Sequence, residues 1–160
     1  MCGIAGYYQT GGEKFEKEEI REMATTLGHR GPDASGFFND DVVSLAHTRL
    51  SIIDLDSSAN QPMVSKCWRY NIIYNGEVYN YDELRREYKL ECHTKSDTEV
   101  ILELFVRFGK NAFELFNGMF AIAIYDARHK TLLLARDRMG IKPIYYFWNG
   151  QIFAFASELK

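Results

Sequence analysis

The last third of the chain constrains the fold most. Met119-Phe120-Ala121-Ile122-Ala123-Ile124-Tyr125, Thr131-Leu132-Leu133-Leu134-Ala135, Ile144-Tyr145-Tyr146-Phe147 and Ile152-Phe153-Ala154-Phe155-Ala156 are short apolar runs. Turns separate them: Asp126–Lys130, the charged stretch Arg136-Asp137-Arg138-Met139-Gly140, and Asn149-Gly150. Runs of this length, rich in β-branched and aromatic residues, read as strands. A strand with one wet face alternates apolar and polar residues. The first two runs and the last do not alternate, so the sheet they build is covered on both sides.

The preceding residues supply the cover and further strands. Ile4-Ala5-Gly6-Tyr7-Tyr8 reads as a buried strand, followed by a turn at Gln9-Thr10-Gly11-Gly12. Ile20, Met23, Ala24 and Leu27 recur at helical spacing, with Glu16, Glu18, Glu19, Arg21 and Glu22 between them and Gly28 as a stop. Gly36-Phe37-Phe38 and Val42–His47 form a predicted hairpin around Asn39-Asp40-Asp41, and Leu50-Ser51-Ile52-Ile53 alternates like another short strand. Tyr70–Tyr74 is a strand running into Asn75-Gly76-Glu77. Asn80, with Glu83 three residues on, opens a helix through Leu84 and Tyr88. Ser96-Asp97-Thr98-Glu99 has the capping-box pattern and introduces the strongest helix, with Val100, Ile101, Leu104, Phe105 and Phe108 on one face. Gly109 interrupts it, and a second short helix is expected over Ala112–Phe116.

Composition excludes several classes. At 160 residues, 46% hydrophobic and 14% aromatic, the chain suits one folded domain, residues 1–160, with a real core. The net charge is −3 and no basic block occurs, which argues against nucleic acid and anionic membranes as partners. No apolar run approaches the roughly 20 residues of a membrane span, and no signal peptide opens the chain. A cytoplasmic protein is expected. The three cysteines, Cys2, Cys67 and Cys92, are odd in number and irregularly spaced, so neither a disulfide framework nor a metal site is expected.

Chemistry concentrates at Met1-Cys2-Gly3-Ile4-Ala5-Gly6. Removal of Met1 would put a thiol and a free α-amine on one residue. The amine, with an ordinary pKa of about 7.7–8.0, is a base near neutrality, and the thiolate is a nucleophile. Three other stretches carry candidate groups. His29-Arg30-Gly31-Pro32-Asp33 is either a surface turn or a lid at a substrate edge. Arg49, between apolar runs, needs a carboxylate from the protein or from a ligand. Asn75-Gly76 is either a hairpin turn or part of a strand-to-helix loop, where an amide and a glycine N–H aim at one oxygen. Asp97, at the first helical position, is favoured by the helix dipole.

Taken in order, Met1-Cys2-Gly3-Ile4-Ala5-Gly6, His29-Arg30-Gly31-Pro32-Asp33, His47-Thr48-Arg49-Leu50-Ser51-Ile52, Tyr74-Asn75-Gly76-Glu77, Ser96-Asp97-Thr98-Glu99 and Arg136-Asp137-Arg138-Met139-Gly140-Ile141-Lys142-Pro143 resemble the glutaminase domain of glutamine-dependent asparagine synthetases. Each motif alone is weak, but the ordered set runs nearly end to end. The resemblance implies an α+β fold of the N-terminal-nucleophile hydrolase type, a four-layer α/β/β/α sandwich of two antiparallel sheets. It implies hydrolysis of glutamine to glutamate and ammonia, with Cys2 as nucleophile and Asn75 and Gly76 as the oxyanion hole. Arg49 would take the glutamine α-carboxylate, Asp97 with Glu77 the α-ammonium, and main-chain groups at Ile52 and Ile53 would touch the ligand. His29 and His47 read as structural, because the α-amine makes a histidine base unnecessary. No cofactor or metal is expected in this domain. ATP and magnesium belong to the synthetase domain that the family carries in cis or in trans as ammonia acceptor, for which no Ser-Gly-Gly nucleotide loop occurs here. Aspartate amidated to asparagine is the implied reaction of the whole enzyme. A related amidotransferase with another acceptor, or a glutamine-binding module without turnover, stands as the alternative. Homo-oligomer formation is left open.

Overall fold

A computed structural model describes residues 1–11 and 17–159. The predicted turn residue Gly12 and helix residue Glu16 lie outside them. Strands β1 (Gly3–Gln9), β2 (Ala34–Asn39), β3 (Val43–Arg49), β4 (Met63–Val64), β5 (Tyr70–Val78), β6 (Gly118–Asp126), β7 (Thr131–Arg136), β8 (Tyr145–Trp148) and β9 (Ile152–Ala156) form two antiparallel sheets. One has the order β2-β3-β1-β9-β8 and the other β4-β5-β6-β7. Helices α1 (Lys17–Thr26), α2 (Tyr81–Glu87) and α3 (Asp97–Phe108) cover them.

Strand alternation explains the layering. In β1, Ile4, Gly6 and Tyr8 face one way, opposite His47, Leu45 and Val43 of β3. That face meets the second sheet. Ile4, Val43, Leu45 and Phe155 pack with Ile73, Ala121, Ala123 and Tyr125 in one buried cluster. The outer face of the first sheet takes α1, where Ile20 and Ala24 meet Tyr7 and Ala46. The outer face of the second sheet takes α2 and α3. Leu84, Ile101 and Leu104 pack there on Ile72, Val78, Ile122 and Ile124. Each fully buried aliphatic side chain in these layers contributes about 1.5–3 kcal/mol. The expected α/β/β/α sandwich is the observed fold. No helix among the described residues is long and apolar enough to cross a membrane.

Four local expectations are corrected. Leu50–Ile53 is not a strand. Its first two N–H groups are taken by the Cys2 thiol and the Asp33 carboxylate, so no ladder forms, and Ile52 is 71% exposed. Asn75-Gly76 is neither a hairpin turn nor a strand-to-helix loop. Strand β5 continues through both residues to Val78, paired throughout with β6. The Ser96–Glu99 capping box is half made. The Ser96 hydroxyl accepts from Thr98 N–H at 3.0 Å. The Glu99 carboxylate instead accepts from His93 N–H, Thr94 N–H and the Thr94 hydroxyl. Asn80 precedes α2, but its side chain makes no cap bond there. It joins Leu115 O and Asn117 N–H across the molecule.

The both-sided cover expected of the last strands holds for β6, which is buried from Phe120 to Asp126. Strand β7 is a half-buried edge, and β8, at the edge of the first sheet, exposes all four residues.

Candidate active site

One cavity of about 180 Å³ lies where β1, β3, β5 and the start of α3 converge. Its wall contains Cys2, Arg49, Ile52, Ile53, Asn75, Gly76, Glu77 and Asp97. Pockets for drug-sized ligands run to ~300–1,000 Å³, so this one suits a ligand of amino-acid size.

Cys2 is fixed from three sides. The residue after it enters β1, anchored at Ile4 N–H by the buried Ser157 hydroxyl at 3.0 Å. Its carbonyl accepts from Arg30 Nε at 3.0 Å. Its sulfur accepts from Leu50 N–H at 3.4 Å and lies 3.7 Å from the Leu50 carbonyl. Burial pushes the thiol above its ordinary value, with Asp97 adding to the rise, while the Leu50 N–H, the terminal ammonium and Arg49 pull the other way. The His29–Asp33 stretch is therefore a scaffold. Arg30 holds Cys2 and pairs with Glu158 at 2.8 Å. Asp33 N–H meets Arg49 O, and the Asp33 carboxylate meets Ser51 N–H.

Arg49, the last residue of β3, is 7% exposed. Its guanidinium donates to Asp54 O, Asp56 O and the Asn60 side-chain oxygen, all neutral acceptors. No ion pair among the described residues includes it. No protein carboxylate pairs with it among the described residues. Its positive charge is held rigidly at the cavity wall, as a carboxylate-binding fork requires.

The Asn75 side chain is 1% exposed, and its Nδ2 has no hydrogen-bond partner among the described residues. A buried, unsatisfied amide donor is costly, and such groups mark places where a ligand completes the set. Gly76 adds a second donor. Phe120, opposite Gly76, spends its N–H and C=O on Asp137, on the far side of β6 from β5. In an antiparallel ladder, Gly76 then points its N–H away from β6. Its neighbours of the same parity do so too: Tyr74 N–H goes to Gln61 and Val78 N–H to Asp97. Between these two filled positions, Gly76 N–H has no acceptor among the described residues.

Asp97 is buried at the α3 N-terminus. Its Oδ2 accepts from the Tyr74 hydroxyl at 2.8 Å and from Val78 N–H at 3.2 Å. Burial raises its carboxyl above the ordinary value, and Glu77 adds to this, against the pull of those hydrogen bonds. Glu77 has no ion-pair partner among the described residues. His29 and His47 are both outside the cavity wall. His29 bonds Thr26 O and Glu158. His47 is buried between the sheets with Nε2 3.2 Å from Tyr74 O.

Sequence reasoning missed Tyr74, Gln61 and Lys142, which also line the cavity. Tyr74 reads as a sheet residue, and only its contact with Asp97 distinguishes it. Lys142 belongs to the Arg136–Pro143 motif, but nothing in the sequence says that its side chain is buried.

The cavity gathers a thiol, two unfilled N–H donors on one strand, a fixed guanidinium and a buried carboxylate. It can bind an amino acid zwitterion and stabilise an oxyanion beside the sulfur. Known proteins agree with this architecture. The profile of the glutamine amidotransferase domain matches residues 1–160. The chain is 41% identical to the putative glutamine-hydrolyzing asparagine synthetase 2 of Methanocaldococcus jannaschii, with 100% of this chain covering 34% of that protein. It is 39% identical to asparagine synthetase B of Escherichia coli, again over 100% of this chain and 29% of the relative. The chain thus spans about a third of the length of these relatives. In fold it is similar to the glutamine phosphoribosylpyrophosphate amidotransferase of B. subtilis, with a TM-score of 0.82 at 21% identity, covering 98% of this chain and 42% of that one. On the match across its whole length, the chain belongs to the glutamine amidotransferase domain family.

Proposed function

We propose that this domain hydrolyses free glutamine to glutamate and ammonia through a thioester on Cys2. The observation that carries the reading is the unpartnered Asn75 Nδ2 in the same cavity wall as the Cys2 thiol. With Met1 removed, the Cys2 α-amine takes the thiol proton and the sulfur attacks the side-chain amide carbon of glutamine. The carbonyl oxygen becomes an oxyanion received by Asn75 Nδ2 and Gly76 N–H. The protonated amine returns its proton to the amide nitrogen, the C–N bond breaks, and ammonia leaves. Water, deprotonated by the same amine, attacks the thioester and releases glutamate and the thiol. Arg49 binds the α-carboxylate, Asp97 with Glu77 binds the α-ammonium, and Ile52 and Ile53 close the wall.

The names of the relatives support a finer statement. The ammonia passes to a synthetase domain, in cis or in trans, that makes asparagine, with ATP, magnesium and aspartate at that step resting on the family resemblance alone. An acceptor other than aspartate is the alternative at that step.

The test is intact mass before and after exposure to a diazoketone analogue of glutamine, with ammonia release measured in parallel. Expected are loss of Met1, one adduct that Cys2→Ala abolishes, and turnover that Cys2→Ala eliminates without changing the melting temperature. Glutamine-induced thermal stabilisation without ammonia or adduct, in protein lacking Met1, would establish a binding module instead.

A further inference from the structure

The Arg136–Pro143 motif places a buried cation in this cavity, and the reaction scheme above leaves it unused. Lys142 is 5% exposed and lines the cavity. Among the described residues its Nζ has one polar contact, the Met1 thioether at 3.0 Å. A thioether is a weak acceptor that carries no charge. No ion pair among the described residues includes Lys142. A buried ammonium without a carboxylate is rare, because its desolvation is uncompensated.

The surrounding segment is built to hold it there. The Asp137 carboxylate accepts from Lys142 N–H at 3.0 Å, Ile141 N–H at 2.8 Å and Phe120 N–H at 3.2 Å. Arg136 Nε donates to Lys142 O at 2.7 Å. The backbone at Lys142 is therefore fixed to β6, the strand paired with Asn75 and Gly76. The partner in the contact is Met1, whose removal the proposed mechanism requires. Removal of Met1 takes away this contact and creates an α-amine on Cys2, which lines the same cavity as Lys142.

We propose that Lys142 is a positioning residue for catalysis: its ammonium keeps the Cys2 α-amine unprotonated near neutral pH, so that the amine can serve as base. This rests on the proposed role of Cys2. The physical reason is that two cations sharing a cavity disfavour each other's protonation. The other charged groups around Cys2 must be weighed with it. Arg30 touches the Cys2 carbonyl and Arg49 lines the wall, both acting in the same direction as Lys142. Asp54, Glu77 and Asp97 oppose them from the same wall, with the Tyr74 phenol neutral. Asp54 is committed to Asp56 N–H and Lys95 N–H, and Asp97 to Tyr74 and Val78. Arg49 is committed to three oxygens. Lys142 is the cation that loses its contact when the amine appears.

The experiment compares protein lacking Met1, verified by mass, with its Lys142→Met, Lys142→Gln and Lys142→Arg variants. The readouts are the rate of Cys2 alkylation by iodoacetamide across pH and the acid limb of kcat/KM for glutamine. Both neutral variants should move the alkylation midpoint and the acid limb to higher pH by about one unit. Lys142→Arg should leave both near wild type. Neutral variants that melt as the wild type does and show unmoved midpoints would overturn the proposal. Wild-type protein that is alkylated but releases no ammonia would overturn the glutaminase reading, while the alkylation midpoints would still report on Lys142.

Discussion

At the scale of single residues, the proposed function predicts that the site trades stability for binding. Asp97 is a buried acid whose carboxyl is raised by burial. A raised folded-state value means that its stabilising share is present below the unfolded value of about 3.9 and is lost as pH rises through the folded value. Burial thus opposes the charged form of Asp97, which a ligand's ammonium would favour. Asp97→Asn should therefore leave the ligand-free melting temperature unchanged or higher at neutral pH. The wild-type and variant curves should converge in acid, while KM for glutamine rises at least about tenfold through loss of a charge-assisted bond. A variant that melts lower at neutral pH with KM intact would make Asp97 a structural cap. Asn75 gives the complementary case. Its Nδ2 has no partner to lose, so Asn75→Ala should cost the fold at most about 1 kcal/mol while lowering kcat by ~10²–10³. Urea titration and steady-state kinetics on one preparation would separate the two effects.

Elements decide where those residues stand, and here the sequence was legible in part. The runs at Ile4–Tyr8, Tyr70–Tyr74 and Met119–Tyr125 identified the central strands, because buried strands are apolar on both faces. The Asn75-Gly76 pair misled, because its turn signal is local and the outcome was set by a partner far away in sequence. Strand β6 offers a matched edge from Gly118 to Asp126. Gly76 lets its backbone approach so closely that a Cβ there would lie 2.2 Å from Met119 O and 2.7 Å from Phe120 Cα. The opposite error occurred at Leu50–Ile53, where an alternating pattern had no strand to pair with. Cys2 was legible from its place behind Met1, whereas Arg49, Asn75 and Asp97 were legible only through the resemblance, since spacing alone left them open to ordinary structural roles. The close approach at Gly76 also makes a prediction. Gly76→Ala must push two backbone segments apart, so it should destabilise the domain by more than about 2 kcal/mol. Amide exchange should accelerate across Asn75–Val78 and Gly118–Ala121. If the variant keeps wild-type stability and loses only turnover, the glycine serves the ligand and not the sheet.

Across the whole molecule, the two sheets meet at a polar group as well as at apolar side chains. His47, on the inner face of β3, donates from Nε2 to Tyr74 O of β5, and its Nδ1 has no partner. This bond fixes the neutral tautomer, and burial holds the imidazole down to about 3. The unfolded chain takes up the proton at about 6.5. A lowered folded-state value means that the stabilising share is present above 6.5 and is lost as pH falls toward the folded value. Carboxylates of lowered value, such as Glu99 and Asp137, lose their share only nearer their own unfolded range of about 4. Asp97 works in the other direction, gaining as pH falls. Between about 4.5 and 6.5 His47 therefore loses its share as pH falls, with its own slope approaching ~1.4 kcal/mol per pH unit, and Asp97 acts against it. His47→Gln retains an amide donor for Tyr74 O and removes the titration. Urea unfolding at several pH values should show a flatter stability profile for the variant in that interval and parallel profiles above it. A variant profile as steep as the wild type's would mean that the acid sensitivity of this sandwich arises elsewhere than at the junction of its sheets.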